Sequence, residues 1–344
     1  MSAPLPAPSW GPPFLLYLGD APDDLAIKTA RGLAFWRPQW CLGQFRGPDC
    51  RARLDLPDMT FAAAKAARAD TMVLGIANAG GVMGADIRRD VVAALEAGMN
   101  VASGLHRKLD SYPEIVAAAA RNGRTLFDAR HFAYDIPVGN GLRRAGRRLL
   151  TVGTDCSVGK MYTALAIERE LHKRNIKADF RATGQTGILI AGSGVPIDAL
   201  VADFIAGGAE WVSPTRTDGG WDVIEGQGSL FHPSFAGVSL GLLHGSQPDA
   251  LVLCHAPGRP HMRGLPQYPL PDLKTCLAAN LEAARLTNPS VIAVGVAFNT
   301  SRLSREIAKA ACKQAEDALG LPCEDPVTMG VERITHHLLS CLPS

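Results

Sequence analysis

A glycine-bounded loop between an apolar strand and a helix is the feature that most constrains how this chain can fold. Residues 149–163 read LLTVGTDCSVGKMYT. The apolar run predicts a buried strand, and Lys160 opens a helix whose first N–H groups and dipole attract an anion. Strand, loop, Gly-Lys and helix follow in the order of a phosphate-binding loop. The simpler alternative is a glycine turn with a solvated lysine.

The loop departs from the usual phosphate-binding pattern in two details. Gly153 and Gly159 enclose five residues instead of four, and Met161 stands where a Ser or Thr hydroxyl normally holds the magnesium of a nucleotide. A thioether is a poor ligand for a hard cation, so the sequence favours phosphate binding over Mg-ATP chemistry. We assign cofactor binding to the whole loop: Gly153, Thr154, Asp155, Cys156, Ser157, Val158, Gly159, Lys160 and Met161.

Apolar runs bounded by Gly, Pro, Asn or Asp alternate with longer amphipathic segments along nearly all of the 344 residues. This alternation predicts an α/β protein with mainly parallel sheets. A basic, glycine-rich break at 137–148 suggests two domains. We expect a Rossmann-like, doubly wound domain over 1–140 and a P-loop NTPase-like α/β domain over 141–344. Within the second domain, helices are predicted at 160–174, 196–207, 271–285 and 301–319.

Three further segments of the second domain carry chemistry-bearing residues. Glu225 ends a predicted strand, where it could take a proton, hold a cation, cap a helix or pair with Lys160. The glycines and threonines of 183–187 suit the close approach of a ligand. The loop 254–264 concentrates two histidines and two arginines, which suit a carboxylate or phosphate, although a solvated basic loop is an equal alternative.

A weak dinucleotide-like motif lies in the first domain. Residues 79–84 read AGGVMG, with Ala79 where the first glycine of the fingerprint belongs. No acidic residue ends the next strand to hold a ribose. The sequence therefore gives little support to NAD binding.

Composition excludes several classes of partner. Thirty-five basic against thirty-three acidic residues leave a formal charge of +2, too small for electrostatic capture of nucleic acid. No apolar stretch reaches the length of a membrane-spanning helix. The eight cysteines form no C-x-x-C pair, so we expect no metal site and, with no secretory signal, reduced thiols in the cytoplasm.

Four motifs together resemble a P-loop family long catalogued only as a domain of unknown function. They are GTDCSVGKM at 153–161, TGQTG at 183–187, VADF at 201–204 and IEGQG at 224–228. Members of that family are described as D-glutamate N-acetyltransferases, and the resemblance covers nearly the full chain. The lengthened loop and the Glu225-Gly226 pair are also similar to dethiobiotin synthetase, but that enzyme has a magnesium-binding Thr where this chain has Met161.

The resemblance implies transfer of an acetyl group from acetyl-CoA to the amino group of D-glutamate or a related acidic D-amino acid. Glu225 is then the first candidate for the general base, with Asp203 and His255 behind it. The expected acceptor-binding residues are Arg181, Gln185, Thr186, Arg259, His261 and Arg263. We expect a homo-oligomer with a small-molecule substrate. The alternatives are an ATP-dependent ligase or kinase and a non-catalytic CoA- or nucleotide-binding regulator.

Overall fold

The computed structural model describes residues 10–24, 26–76, 83–131 and 135–342. The dinucleotide-like motif at 79–84 lies mostly outside these residues. The described strands are β1 (Phe14–Gly19), β2 (Cys41–Arg46), β3 (Thr71–Leu74), β4 (Asn100–Ser103), β5 (Leu126–Asp128), β6 (Arg147–Gly153), β7 (Ala178–Arg181), β8 (Trp221–Ile224), β9 (Ala250–His255), β10 (His261–Met262), β11 (Leu265–Pro269), β12 (Ile292–Phe298) and β13 (Cys323–Glu324).

Helices alternate with these strands. They are α1 (Lys28–Trp36), α2 (Phe61–Ala66), α3 (Ala85–Glu96), α4 (Pro113–Asn122), α5 (Lys160–Lys173), α6 (Gln185–Ala191), α7 (Ile205–Val212), α8 (Ala236–Ser246), α9 (Leu273–Arg285), α10 (Arg305–Leu319) and α11 (Glu332–Cys341). None of the helices in the described part of the chain is long and apolar enough to cross a membrane.

The chain divides into two compact units. One contains the described residues up to 131 together with the segment Gln185–Pro196, and the other contains 135–184 and 197–342. Sequence order alone assigns Gln185–Pro196 to the second domain. The structure instead groups α6 with the N-terminal unit, where the Thr186 and Thr29 hydroxyls lie within hydrogen-bonding distance, 3.2 Å apart.

The N-terminal unit has a five-stranded parallel sheet in the order β2-β1-β3-β4-β5. The order reverses on either side of β1, as in doubly wound folds. Every residue of β1 and β3 is buried, which is expected of parallel strands covered on both faces. The prediction of a doubly wound N-terminal fold is confirmed.

The C-terminal unit has a six-stranded parallel sheet in the order β13-β12-β9-β6-β8-β7. Strand β6 therefore lies between β9 and β8. The carboxyl ends of these three strands meet at one edge, where ligands bind in open α/β sheets. This topology places the loop after β6 between the residues that follow β8 and β9.

The prediction of a helix at 196–207 is wrong. Two short 3₁₀ turns, Ile197–Ala199 and Ala202–Phe204, occupy most of that range, and α7 begins only at Ile205. Val201 between the turns is extended, with φ −62° and ψ 142°, which interrupts the helical hydrogen-bond ladder. The predicted helices at 160–174, 271–285 and 301–319 agree with α5, α9 and α10 within a few residues at each end.

Candidate active site

The loop between β6 and α5, residues 154–159, has the backbone of an anion cradle. Gly159 immediately precedes α5 at φ 105°, a conformation that side-chain-bearing residues rarely adopt. Helix α5 has no side-chain N-cap hydrogen bond and no acidic residue in its first turn. Its first N–H groups are therefore left for another acceptor, and no carboxylate in that turn opposes an anion.

Lys160 is folded back into the loop. Its Nζ donates to the main-chain oxygens of Asp155 and Gly228, both at 2.8 Å. The side chain is 7% exposed, and burial lowers the pKa of its ammonium. The lysine thus joins the loop after β6 to the glycine-rich segment after β8.

Glu225 lies directly after β8 at the same sheet edge and is 5% exposed. Its Oε2 accepts main-chain N–H groups of Thr183 at 3.0 Å and Gly184 at 3.1 Å. Burial raises the pKa of the carboxyl to about 7, although these two hydrogen bonds and the charge of Lys160 oppose the shift. Near neutral pH such a carboxyl can both accept and release a proton.

Gly226 explains how Glu225 is held so close to the loop. A Cβ on Gly226 would lie 1.6 Å from the main-chain oxygen of Thr151 in β6. The Gly226 N–H donates to the Thr151 hydroxyl at 2.9 Å. Only glycine permits this approach of the two strand ends.

His255 ends β9 on the other side of β6. Its Nδ1 lies 2.9 Å from the Thr154 hydroxyl, and its ring packs at 5.3 Å from that of Phe298. Burial, with a smaller contribution from the Arg259 charge, lowers the pKa of the imidazole to about 4. The imidazole is therefore neutral near pH 7.

The predicted basic loop contacts the phosphate-binding loop. Arg259 donates to the Asp155 carboxylate at 2.6 Å and to the main-chain oxygens of Cys156 and Ser157 at 2.7 and 2.9 Å. The Arg263 guanidinium donates to the Ser157 hydroxyl, and its main-chain N–H donates to Asp155 at 2.8 Å. His261 Nδ1 lies 3.0 Å from the Met262 oxygen.

The other predicted residues are not part of this cluster. Arg181 donates from Nε to the buried Asp222 at 2.7 Å, so that contact is structural. Gln185 and Thr186 belong to α6 in the N-terminal unit. Asp203 is exposed in the turn Ala202–Phe204, and within the described residues no hydrogen bond links it to Glu225 or His255.

Three ligand-type side chains also meet in the loop. A carboxylate oxygen of Asp155, the Cys156 Sγ and a ring nitrogen of His232 all lie within 4.8 Å of one another. However, Asp155 is already paired with Arg259. The Ser234 N–H donates to His232 Nδ1 at 3.2 Å, so Nδ1 acts as the acceptor nitrogen of the ring. The ring N–H is then at Nε2, the nitrogen nearer Asp155. The arrangement therefore suits a hydrogen-bonded loop better than a metal ion.

Sequence reasoning missed the ionic role of Asp155 and any role for His232. A signal for Asp155 was present, because a carboxylate inside a loop expected to bind phosphate requires a cation nearby. His232 had no such signal, since it lies eight residues after β8.

Family models match most of the chain. One, described as "Domain of unknown function (DUF1611_C) P-loop domain", matches residues 137–335, and a second, described as "Domain of unknown function (DUF1611_N) Rossmann-like domain", matches 46–132. The chain belongs to the DUF1611 family. The assignment agrees with the strand orders of both units and confirms the resemblance found in the motifs.

Two curated proteins and one solved structure match nearly the whole chain. A D-glutamate N-acetyltransferase of Tritonibacter scottomollicae is 51% identical over 326 residues, covering 95% of this chain and 98% of that protein. A D-glutamate N-acetyltransferase of a Pseudoalteromonas species is 50% identical over 327 residues, with the same coverage. The crystal structure of a DUF1611 family protein from Anabaena variabilis ATCC 29413 matches with a TM-score of 0.85 and 30% identity, covering 95% of this chain and 99% of that one.

Proposed function

We propose that this protein is an N-acetyltransferase that transfers the acetyl group of acetyl-CoA to the amino group of D-glutamate. The observation that carries the proposal is the near-complete match to two D-glutamate N-acetyltransferases, each about half identical over 95% of the chain. The match spans both units and covers 98% of each relative.

In this proposal, the loop between β6 and α5 binds the acyl donor. Coenzyme A carries a pyrophosphate and a 3′-phosphate, which the N–H groups of the loop and of the first turn of α5 can bind. Met161 at the usual magnesium-ligand position is no obstacle, because acyl transfer from a thioester needs no metal-bound phosphate. The same residue argues against the ATP-dependent ligase alternative.

Glu225 is the general base in this proposal. Oε2 is held by two main-chain N–H groups, and no described residue donates to Oε1, so Oε1 is the atom that takes the proton from the substrate ammonium. The amine then attacks the thioester carbonyl carbon, the carbon–sulfur bond breaks, and the CoA thiolate takes up the second proton, which the nitrogen loses as it becomes an amide. His255 is the weaker candidate, because a group whose pKa is about 4 holds a proton poorly at neutral pH.

Two of the predicted acceptor-binding residues remain available for the acceptor's carboxylates. The Arg263 side chain is exposed, and Ser157 is the partner found for its guanidinium among the described residues. His261 is two residues away on β10. A guanidinium is the better match to a carboxylate, so Arg263 is the first residue to test for the preference for glutamate over glutamine.

A steady-state assay of the purified protein tests the proposal. Release of CoA thiol from acetyl-CoA should depend on D-glutamate and should be much slower with D-glutamine or L-glutamate. Thiol release that is independent of any amino acid would contradict the proposal. Binding of acetyl-CoA without turnover on any acidic amino acid would favour the regulator alternative.

A further inference from the structure

Arg259 makes contacts that a substrate-binding residue would not be expected to make. It follows β9, and all three of its hydrogen bonds go to the loop between β6 and α5. One goes to the Asp155 carboxylate, which is 0% exposed, and two go to main-chain oxygens of the next two residues. We refer to the Asp155–Arg259 pair, with the Arg263 N–H that also donates to Asp155, as the loop clasp.

The loop clasp determines which way two peptide groups of the loop face. In a trans peptide the C=O and the following N–H point in opposite directions. Since Arg259 binds the oxygens of Cys156 and Ser157, the N–H groups of Ser157 and Val158 face away from Arg259. Among the described residues, neither of these N–H groups donates to a protein acceptor.

The conformation held by the loop clasp is one the chain does not adopt readily. Ser157 has φ 53°, which is unusual for a residue with a side chain, and Gly159 has φ 105°. Successive N–H groups around such left-handed residues form a concavity that binds anions. The three Arg259 hydrogen bonds offset the cost of keeping Ser157 in this state.

Arg259 also compensates a charge. Without it, the buried Asp155 carboxylate would lie unpaired within a loop proposed to bind phosphate, where it would repel the ligand. The side chain of Arg259 is 20% exposed, so the ion pair is largely shielded from solvent. Loss of Arg259 therefore both loosens the cradle and leaves a negative charge inside it.

We propose that Arg259 is a positioning residue for the phosphates of the acyl donor and does not bind the acceptor's carboxylate. The inference rests on the proposed function for the identity of the donor. It assigns Asp155 a matching role, as the anchor that Arg259 needs in order to hold the loop. It differs from the expectation drawn from sequence, in which Arg259 held the substrate carboxylate.

Kinetics of three variants test this assignment. Arg259→Ala should raise KM for acetyl-CoA about ten- to hundredfold, the range expected for loss of a charged hydrogen bond, and change KM for D-glutamate less than about threefold. In the double variant Arg259→Ala/Asp155→Asn, part of the affinity for acetyl-CoA should return because the unpaired carboxylate is gone. Arg259→Lys should fall between wild type and Arg259→Ala, since one ammonium cannot replace three contacts. Arg285→Ala, which removes an exposed arginine at the end of α9, is the matched control.

Calorimetric titration of the same variants with CoA separates failure of this inference from failure of the proposed function. If wild type does not acetylate D-glutamate but still binds CoA more tightly than Arg259→Ala does, the proposed function fails and the inference stands. If Arg259→Ala binds CoA like wild type, or if KM for D-glutamate is the parameter that rises, the inference is overturned. Failure of wild type to bind CoA would also overturn it.

Discussion

At the residue scale, the proposed chemistry depends on one buried carboxylate with a raised pKa. Because the base must be ionised to accept the ammonium proton, and burial raises the pKa of Glu225 to about 7, kcat should fall about tenfold per pH unit well below pH 7 and level off above it. Glu225→Gln should lower kcat about 10²- to 10⁴-fold and remove this limb of the pH profile. Glu282→Gln, at an exposed position of α9, is the control. A pH profile that is the same in Glu225→Gln and wild type would move the base elsewhere, with His255 next to be tested.

Lys160 supplies the second prediction at this scale. Lys160→Met keeps most of the side-chain volume and removes the charge, so KM for acetyl-CoA should rise about ten- to hundredfold with a smaller change in kcat. Lys173→Met at the other end of α5 is exposed and should behave like wild type. If Lys160→Met has a normal KM and normal turnover, the lysine only ties the Asp155 and Gly228 oxygens together.

Sequence reasoning located the loop and Glu225 but not the partners of the charged residues. Gly153, Gly159 and Lys160 are recognisable because they lie close together in the sequence and form a known motif. Arg259 and Asp155 are 104 positions apart, and a single sequence does not show that one neutralises the other. The same reasoning applies to Arg181, whose partner Asp222 lies on the neighbouring strand.

At the scale of elements, the site depends on how closely the ends of β6 and β8 approach. Gly226→Ala places a Cβ within bonding distance of a main-chain oxygen that cannot move without distorting β6. We expect it to lower the free energy of unfolding by about 3 kcal/mol, at the upper end of typical overpacking costs, and to impair activity. Gly237→Ala, which meets nothing within 4 Å on α8, should be neutral or stabilising. Equal unfolding free energies for the two variants, from denaturant titration, would show that the strand ends can separate without cost.

Elements with a strong periodic pattern were predictable, and those set by local main-chain breaks were not. Strands β6 and β9 and helices α5 and α10 are apparent from apolar runs and caps; Ser304, for example, accepts the Ile307 N–H at the start of α10. The break at Val201 has no such marker, because valine is compatible with a helix and its side chain is exposed, so no burial pattern indicates the change in backbone. Similarly, nothing local in Gln185–Pro196 indicates that α6 groups with the N-terminal unit.

At the scale of the whole molecule, the central claim is that a P-loop fold here carries out acetyl transfer without nucleotide chemistry. The most direct test is mass analysis of the products formed from acetyl-CoA and D-glutamate by the purified protein, with EDTA present and no nucleotide added. The account predicts N-acetyl-D-glutamate and free CoA in equal amounts under these conditions, because Met161 offers magnesium no suitable ligand and the proposed step needs none. Product that forms only when Mg-ATP is supplied, with ADP or AMP released in proportion, would contradict the account.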